Sequence, residues 1–259
     1  MPRAPTEQAV GAAGWDQPPE KPAAEGGAIH VWRIGLHLHP SRVEPLLEIL
    51  SPQERRRMAR YRSGDLRRRM IAAHGRLRIL LGRYVGADPR ELEFRTAPRG
   101  KPYLAGSPRP LEFSLAHSGE LALAAVHLDR EVGVDVEAQR EGIEPEAIAE
   151  RFFSPAEAAW LRSLAGDERT EAFYRIWTAK EAFVKAHGAG LRFGLREFTV
   201  SVAGRYETVE VRGDRREARR WSLWRLEPGP GYAGAVAARA AGLELKRYEW
   251  PLEWDERAL

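Results

Sequence analysis

The same helix-start signal occurs twice in this chain, at Ser51-Pro-Gln-Glu54 and at Ser154-Pro-Ala-Glu157. In each copy the serine can cap a helix, the proline suits the first helical position, and the glutamate completes a capping box. A position in the later part of a long predicted helix, Gly82 in one case and Lys185 in the other, lies 31 residues after each serine. A start signal repeated at a constant offset predicts that the chain is built from two similar halves.

Alternating apolar residues predict strands around each copy of the signal. They cover 29–38, 111–115 and 121–126 in the first half, and 132–136, 198–202, 208–211, 221–226 and 232–238 in the second. Turns rich in Gly and Pro favour antiparallel pairing. The sequence therefore predicts an α+β fold of two similar α/β lobes related by pseudo-two-fold symmetry, each a small antiparallel sheet packed with a long helix. We expect the N-terminal lobe at 28–130 and the C-terminal lobe at 131–259.

The first 27 residues differ in composition from the rest. They are rich in Pro, Ala, Gly and Glu, and Trp15 is their only aromatic side chain. Such a segment cannot bury enough apolar surface to offset the entropy of ordering it. We therefore expect residues 1–27 to form a flexible tail.

Composition excludes several classes of protein and site. The chain has no cysteine, which excludes disulfides, zinc-cysteine sites and thiol nucleophiles and is typical of a reducing compartment. No stretch approaches the roughly 20 apolar residues of a membrane helix, and no signal peptide is recognisable. The net charge of +4 is too small to indicate a nucleic-acid partner. We expect a soluble, cytoplasmic protein without a membrane or nucleic-acid partner.

Two carboxylates alternate in the predicted strand Gly133-Val-Asp-Val-Glu137. Alternate residues of a strand share a face, so Asp135 and Glu137 point the same way while Val134 and Val136 point to the core. Hard carboxylate oxygens at this spacing suit Mg²⁺. An exposed strand face that carries two acids explains these five residues equally well.

The segment Trp177-Thr-Ala-Lys-Glu-Ala-Phe-Val-Lys185 holds two of the only five lysines among 41 basic residues. Helical spacing gives it an apolar stripe, with Glu181 and Lys185 one turn apart on its flank. Taken alone, that spacing favours an ordinary surface ion pair over catalysis. Lys180 falls within the stripe, so we expect its ammonium group to reach a cleft or to pair with an anion.

Basic residues make a third set, which comprises the arginines between 55 and 69, Lys101 and the loop His117-Ser118-Gly119. The arginines alone could form a solvated helix face or a nucleic-acid patch. Together with Lys101 and the histidine loop they could cradle a phosphorylated nucleotide. Three carboxylates beside such a cradle would suit Mg²⁺-assisted attack on a phosphoryl group.

The acidic strand motif, the segment Arg151-Phe-Phe-Ser-Pro-Ala-Glu157 and the lysine-containing helix follow one another in a specific order. They closely resemble the GxDxE and WxxKEAxxK motifs of 4′-phosphopantetheinyl transferases of the Sfp type, in the holo-carrier-protein synthase superfamily. The resemblance covers residues 29–240 and includes Gly100-Lys101-Pro102. It departs from the family pattern FN-x-SHSG at Ala116, so we expect one hydroxyl fewer around the nucleotide.

The resemblance implies an enzyme that transfers the 4′-phosphopantetheine arm of coenzyme A to a serine of an acyl or peptidyl carrier protein. The reaction would use Mg²⁺ and release 3′,5′-ADP, and the two lobes of a monomer would complete one cleft. Glu181 is then the candidate base, while Lys185 and Lys180 would stabilise charge on the departing nucleotide. The residues implied to hold coenzyme A are Arg57, Arg69, Lys101 and His117, and those implied to hold the metal are Asp135, Glu137 and Glu181.

Two alternatives belong to other functional classes. A metal-dependent nuclease or phosphodiesterase accounts for the acids and the arginines, but not for the lysines or the Gly-Lys-Pro and His-Ser-Gly loops. A basic binding module without catalysis leaves the position of Lys180 within an apolar stripe unexplained. Assaying phosphopantetheine transfer and nucleic-acid cleavage side by side separates these functions.

Overall fold

The computed structural model describes residues 14–107, 110–188, 194–201, 208–211 and 220–257. The first half contains β1 (Ala28–Gly35), α1 (Pro40–Ile49), α2 (Pro52–Met58), α3 (Gly64–Val85), β2 (Phe94–Thr96), β3 (Pro102–Leu104), β4 (Leu111–Ser118) and β5 (Leu121–Leu128). The second half contains β6 (Val132–Ala138), α4 (Pro145–Phe152), α5 (Pro155–Ser163), α6 (Gly166–His187), β7 (Phe198–Ser201), β8 (Thr208–Val211), β9 (Ser222–Leu226) and β10 (Tyr232–Ala238). They are followed by β11 (Glu244–Glu249) and α7 (Glu253–Arg257).

The two halves repeat the same order of helices and strands. The strand order is β1-β5-β4 in one sheet and β6-β10-β9 in the other, and every neighbour in these two sets pairs antiparallel. The long helices α3 and α6 each contain 22 residues and end at a glycine with left-handed backbone, Gly86 and Gly188 respectively. The prediction of an α+β fold with two similar lobes is confirmed.

The repeated start signal forms two capping boxes. In each, the serine hydroxyl accepts a hydrogen bond from the amide three residues later, and the glutamate carboxylate accepts one from the serine amide. Glu54 then pairs with Arg78 on α3 at 2.8 Å, and Glu157 pairs with Lys180 on α6 at 2.8 Å. The signal therefore starts α2 and α5 and also anchors each of them to the long helix that follows.

The C-terminal segment belongs to the first lobe, in contrast to the predicted boundary of 131–259. Strand β11 pairs parallel with β1 and extends the first sheet to the order β11-β1-β5-β4. Trp250 and Trp254 pack into the first core, and the Asp255 carboxylate pairs with the buried Arg76 guanidinium. The open edge of β1 explains this arrangement, because an unpaired strand edge can accept a further strand.

The predicted flexible tail is wrong for the part of 1–27 that the structure describes. Trp15 is 7% exposed, packs among side chains of both sheets and donates its Nε1 proton to the Glu227 carbonyl at 2.9 Å. The neighbouring Asp16 forms a parallel bridge with Tyr248 on β11. The Trp15 indole and the backbone bridge of Asp16 thus hold a segment of low overall hydrophobicity. Residues 1–13 lie outside the described part of the chain.

Three further differences concern helices. Helices α1 and α4 are absent from the sequence prediction, because α1 contains Pro45 and α4 has eight residues without a side-chain N-cap. The arginine-rich segment is divided, since α2 ends at Met58 and Ser63 caps a separate α3.

No helix in the described ranges is both long and apolar enough to cross a membrane.

The lobes meet where the edge strands β4 and β6 lie side by side. Ser114 Oγ accepts a hydrogen bond from the Val134 amide at 3.2 Å, and Ser118 Oγ accepts one from the Ala138 amide at 3.1 Å. Apolar side chains from both sheets pack behind this contact. Serine side chains thereby satisfy edge amides of β6 and fix the strand that carries the acidic motif.

Candidate active site

Strand β6 and helix α6 are in close contact at Gly133. A Cβ atom at this position would lie 2.2 Å from the Ala182 carbonyl oxygen and 2.3 Å from the Ala186 amide nitrogen, both on the α6 backbone. Only glycine fits, which explains the first residue of the acidic motif. Asp135 and Glu137 share the face of Gly133, so both carboxylates lie on the side of β6 that packs against α6.

Asp135 is the most buried acid of this site, with 5% exposure. Its Oδ1 accepts a hydrogen bond from Lys185 Nζ at 2.6 Å, while its buried Oδ2 has no partner among the described residues. The pKa of Asp135 is raised to about 7, mainly by burial and to a smaller extent by the charges of Glu137 and Glu181, while Lys185 opposes the shift. A half-satisfied buried carboxylate is ready to accept a second cation.

Glu137 and Glu181 complete the acidic group. The Oε2 atom of Glu137 accepts a hydrogen bond from Ser118 Oγ at 2.7 Å, so the inter-lobe serine also orients this carboxylate. Burial raises the pKa of Glu181, the charge of Glu137 adds to that effect, and Lys185 opposes it. These mutual charge effects agree with the prediction that the acidic strand motif and the lysine-containing helix motif meet in one site.

The donor chemistry of this group suits a hard divalent cation. It offers carboxylate oxygens from two rigid elements, and Asp135 Oδ2 is buried without a partner. Within the described ranges, no three His, Asp or Glu side chains stand close enough to hold an ion in the present arrangement. Lys185 occupies the other oxygen of Asp135, so the residues fit a metal once this ammonium group moves away.

A cleft of about 1450 Å³ adjoins the acidic group and reaches the C-terminal half of α6. Its walls come from α2, α3, the β2–β3 hairpin, β4 and α6, so both halves of the chain line it. Positive charge predominates, because the three acids on its walls are outnumbered by basic side chains. These are Arg56, Arg57, Arg60, Arg78, Arg95, Arg99, Lys101 and Lys185.

Three of the four residues predicted to hold coenzyme A line this cleft, namely Arg57, Lys101 and His117. Lys101 Nζ donates to Glu112 Oε2 at 2.6 Å. Desolvation in the cleft, together with the charges of Lys185 and Arg57, lowers the pKa of His117. Arg69 is outside the cleft wall and donates to the Gly119 carbonyl at 2.9 Å, where it holds the histidine loop.

Lys180 does not line the cleft, so its predicted catalytic position is wrong. Its side chain is completely buried, and its Nζ donates to the Leu195 carbonyl at 2.8 Å and to the Phe198 carbonyl at 2.7 Å. Its ion pair with Glu157 is the second of the two alternatives that the stripe pattern predicted. Arg78 makes the matching contacts in the first lobe, which identifies Lys180 as a structural anchor.

Ala116 also points away from the cleft. It is 4% exposed and packs in the apolar cluster between the two sheets, while the next residue, His117, lines the cleft. Successive residues of a strand face opposite sides, which explains the difference. The expected loss of a nucleotide contact at Ala116 is therefore not supported.

The structure adds residues that the motifs did not indicate. His74 on α3 lines the cleft, and burial lowers its pKa to about 4. Arg95 and Arg99 come from the β2–β3 hairpin. Ser118 belonged to a motif but had no role assigned before its bond to Glu137. The flanks of Gly100-Lys101 could have indicated the hairpin arginines, since both are within six residues of that turn.

Comparisons with known proteins agree on one family. A sequence model of the 4′-phosphopantetheinyl transferase superfamily matches residues 131–237. The chain is 35% identical over 224 residues to the 4′-phosphopantetheinyl transferase HetI of a Nostoc species, across 86% of this chain and 92% of that protein. It is 28% identical over 241 residues to a phosphopantetheinyl transferase of a Thraustochytrium species, across 86% and 84%. It is 31% identical over 157 residues to Sfp of Bacillus subtilis, across 61% and 68%.

Proposed function

The chain belongs to the 4′-phosphopantetheinyl transferase superfamily, and on that premise we propose that it transfers the 4′-phosphopantetheine arm of coenzyme A to a carrier protein. The acceptor is a serine hydroxyl of an acyl or peptidyl carrier protein, and the second product is 3′,5′-ADP. The observation that carries this proposal is a half-satisfied buried carboxylate group beside a large cleft with mostly basic walls.

Coenzyme A binds in the cleft with its nucleotide phosphates among the basic side chains. Arg57 and Lys101 supply positive charge, and the imidazole of His117 supplies a hydrogen bond. Arg69 acts through the backbone, because its bond to Gly119 fixes the loop that presents His117. Support for these roles comes from the position of the three cleft residues on the cleft wall.

Asp135, Glu137 and Glu181 are the residues that would hold Mg²⁺ in this proposal. When bound, it offsets negative charge on the phosphate oxygens during the transfer. Lys185 Nζ donates to Asp135 Oδ1, so this oxygen would have to be shared or released for Asp135 to hold the ion. Once released, the ammonium group is free to stabilise the phosphate of the departing nucleotide.

The transfer exchanges one phosphorus–oxygen bond for another. The serine oxygen forms a bond to the phosphorus that carries the pantetheine arm, and the bond from that phosphorus to the bridging oxygen of 3′,5′-ADP breaks. The electron pair of the broken bond leaves with 3′,5′-ADP. Glu181 is the candidate to accept the serine proton, because its side chain lies on the cleft wall beside Lys185.

The test is transfer to purified carriers. Incubation of the protein with coenzyme A, Mg²⁺ and apo acyl and peptidyl carrier proteins should increase the mass of at least one carrier by one phosphopantetheine. The variant Glu181→Gln should lower the rate by about 10²–10⁴-fold because it removes the base and a metal ligand. Glu168→Gln, an exposed acid in the first turn of the same helix, is the matched control. Unmodified carriers together with cleavage of an oligonucleotide would refute the transferase and support the nuclease.

The cleft also bears on the assembly of the protein. Because both halves of one chain line it, a second subunit is not needed to complete its walls. This arrangement is the support for proposing a monomer. The cytoplasmic location stays a prediction.

A further inference from the structure

Ser118, the last residue of β4, is buried between the two lobes and contacts the strand that carries the acidic motif. Its neighbour His117 lines the nucleotide cleft, because successive residues of a strand face opposite sides. Ser118 does not belong to the described wall of that cleft, and its side chain points toward β6 instead. Any part that it takes in the transfer is therefore exerted through another residue.

The hydrogen bonds of Ser118 leave its hydroxyl proton a single acceptor. The Ala138 amide can only donate, so at 3.1 Å it occupies a lone pair of the Ser118 oxygen. The hydroxyl proton then goes to Glu137 Oε2, 2.7 Å away. That length is typical of a hydroxyl bonded to a charged carboxylate. The Ala138 amide thus orients Ser118, and Ser118 in turn orients Glu137.

Both lobes hold the turn that follows Ser118. From the first lobe, Arg69 donates to the Gly119 carbonyl at 2.9 Å. From the second lobe, Tyr232 Oη accepts from the Glu120 amide at 3.0 Å. Gly119 has a φ of 58°, and a Cβ atom there would lie 2.6 Å from Tyr232 Oη. The turn is fixed from two sides, so the Ser118 hydroxyl has a defined place against β6.

We propose that Ser118 is a positioning residue for the metal, because it holds Glu137 in the orientation that binds the ion. The inference rests on the proposed function. A glutamate side chain has several rotatable bonds, so without a partner its carboxylate would have to be ordered when the ion binds. A hydrogen bond made before the ion arrives removes part of that cost. The bond uses Oε2, so Oε1 stays available to a cation.

Ser114 distinguishes this role from a purely structural one. It lies on the same face of β4 and accepts from the Val134 amide at 3.2 Å. The two serines are similarly buried, with 8% exposure at Ser114 and 7% at Ser118. Among the described residues, Ser114 bonds to no carboxylate. Ser114→Ala and Ser118→Ala therefore each remove one bond between the lobes, but only Ser118→Ala releases Glu137.

The test measures metal binding without a carrier protein. Mn²⁺, a paramagnetic substitute for Mg²⁺, is titrated into the full-length protein and followed by electron paramagnetic resonance. Ser118→Ala should weaken Mn²⁺ binding by about 10–100-fold, the usual effect of removing a partner of a metal ligand. Ser114→Ala should leave the Mn²⁺ affinity nearly unchanged. Thermal unfolding should show the two variants to be similarly stable, since each loses one bond to a β6 amide.

Kinetics separate positioning from catalysis. In Ser118→Ala the Mg²⁺ concentration for half-maximal transfer should rise about tenfold or more. The kcat at saturating Mg²⁺ and the KM for coenzyme A should stay within about twofold of the wild type. A kcat that stays low at saturating Mg²⁺ would contradict a positioning role.

Three results of the Mn²⁺ titration overturn the inference. They are unchanged affinity in Ser118→Ala, equal weakening in both serine variants, and no binding by the wild type. The first two would leave Ser118 with a role only in the contact between the lobes. Expected Mn²⁺ affinities without phosphopantetheine transfer by the wild type would refute the proposed function alone.

Discussion

Lys180 and Lys185 are five residues apart on α6 and have unrelated surroundings. Lys185 lines the nucleotide cleft and bonds to Asp135, whereas Lys180 is buried against Glu157. The apolar stripe predicted that Lys180 reaches a cleft or pairs with an anion, but it could not decide between the two or identify the anion. The partner comes from a capping box 23 residues earlier, and helical periodicity contains no information on that contact.

Removal of the Lys180 ammonium group should affect stability more than any other lysine change. Lys180→Met leaves the Glu157 carboxylate buried without a counter-charge, which should lower the free energy of unfolding by about 3–5 kcal/mol. Urea denaturation measures this loss. Lys246→Met removes a more exposed pair with Glu25 and should cost much less. A Lys180 variant that has normal stability but no longer transfers phosphopantetheine would contradict the structural role and indicate a catalytic one.

Lys185 should compete with the metal for Asp135. In Lys185→Met the carboxylate group loses the cation that pairs with Asp135, so Mn²⁺, used as a probe for Mg²⁺, should bind about tenfold more tightly. Transfer should fall at the same time, because the departing phosphate loses its ammonium partner. Titration followed by electron paramagnetic resonance measures the metal affinity directly. Arg57→Met, which removes a cation from the same cleft without freeing a carboxylate, is the control, and weaker Mn²⁺ binding in Lys185→Met would contradict the competition.

At the scale of elements, the site depends on how closely β6 approaches α6. The sequence predicted the strand, the helix and the direction of Asp135 and Glu137, because periods of two and 3.6 residues are local properties. It did not predict that Gly133 sets the distance between them. A glycine in a strand has several explanations until the neighbouring backbone is known.

A single methyl group at Gly133 should separate these two elements. The added Cβ atom would overlap the α6 backbone, which cannot move aside as a side chain can. Gly133→Ala should therefore destabilise the protein by about 1–3 kcal/mol or more and reduce transfer, since Glu181 moves away from Asp135. Thermal unfolding and the carrier mass assay measure the two effects.

Gly35 in β1 offers a matched control for that change. A Cβ atom there meets no heavy atom within 4 Å, so Gly35→Ala should leave both stability and transfer nearly unchanged. Equal tolerance of alanine at both positions would show that the β6–α6 distance does not determine the site geometry.

At the scale of the whole molecule, the repeat was predictable and its completion was not. Two capping boxes and two sets of strands each produce a local sequence pattern, so the two lobes could be inferred from the sequence. Pairing of β11 with β1 joins residues more than two hundred positions apart, and Trp15 reaches Glu227 over a similar separation. Contacts at such distances depend on which edges and cavities the rest of the fold leaves open.

The C-terminal segment should be essential to the first lobe. Asp255→Ala leaves the Arg76 guanidinium buried without its carboxylate, which should cost about 3–5 kcal/mol in unfolding free energy. Chemical denaturation with tryptophan fluorescence reports this directly, because Trp250 and Trp254 lie in the same core. Asp65→Ala, which breaks an exposed pair with Arg68, should have little effect. Similar losses in both variants would contradict a special role for the C-terminal segment.

The position of β11 also sets an order of events during synthesis of the chain. Repeated lobes suggest that the first could fold while the second is still being translated, as N-terminal units commonly do. Here the first sheet lacks an edge strand, and Arg76 lacks its carboxylate, until the ribosome has passed residue 255. The first lobe to be made is therefore the last to be finished, and a nascent chain would expose the β1 edge throughout its translation.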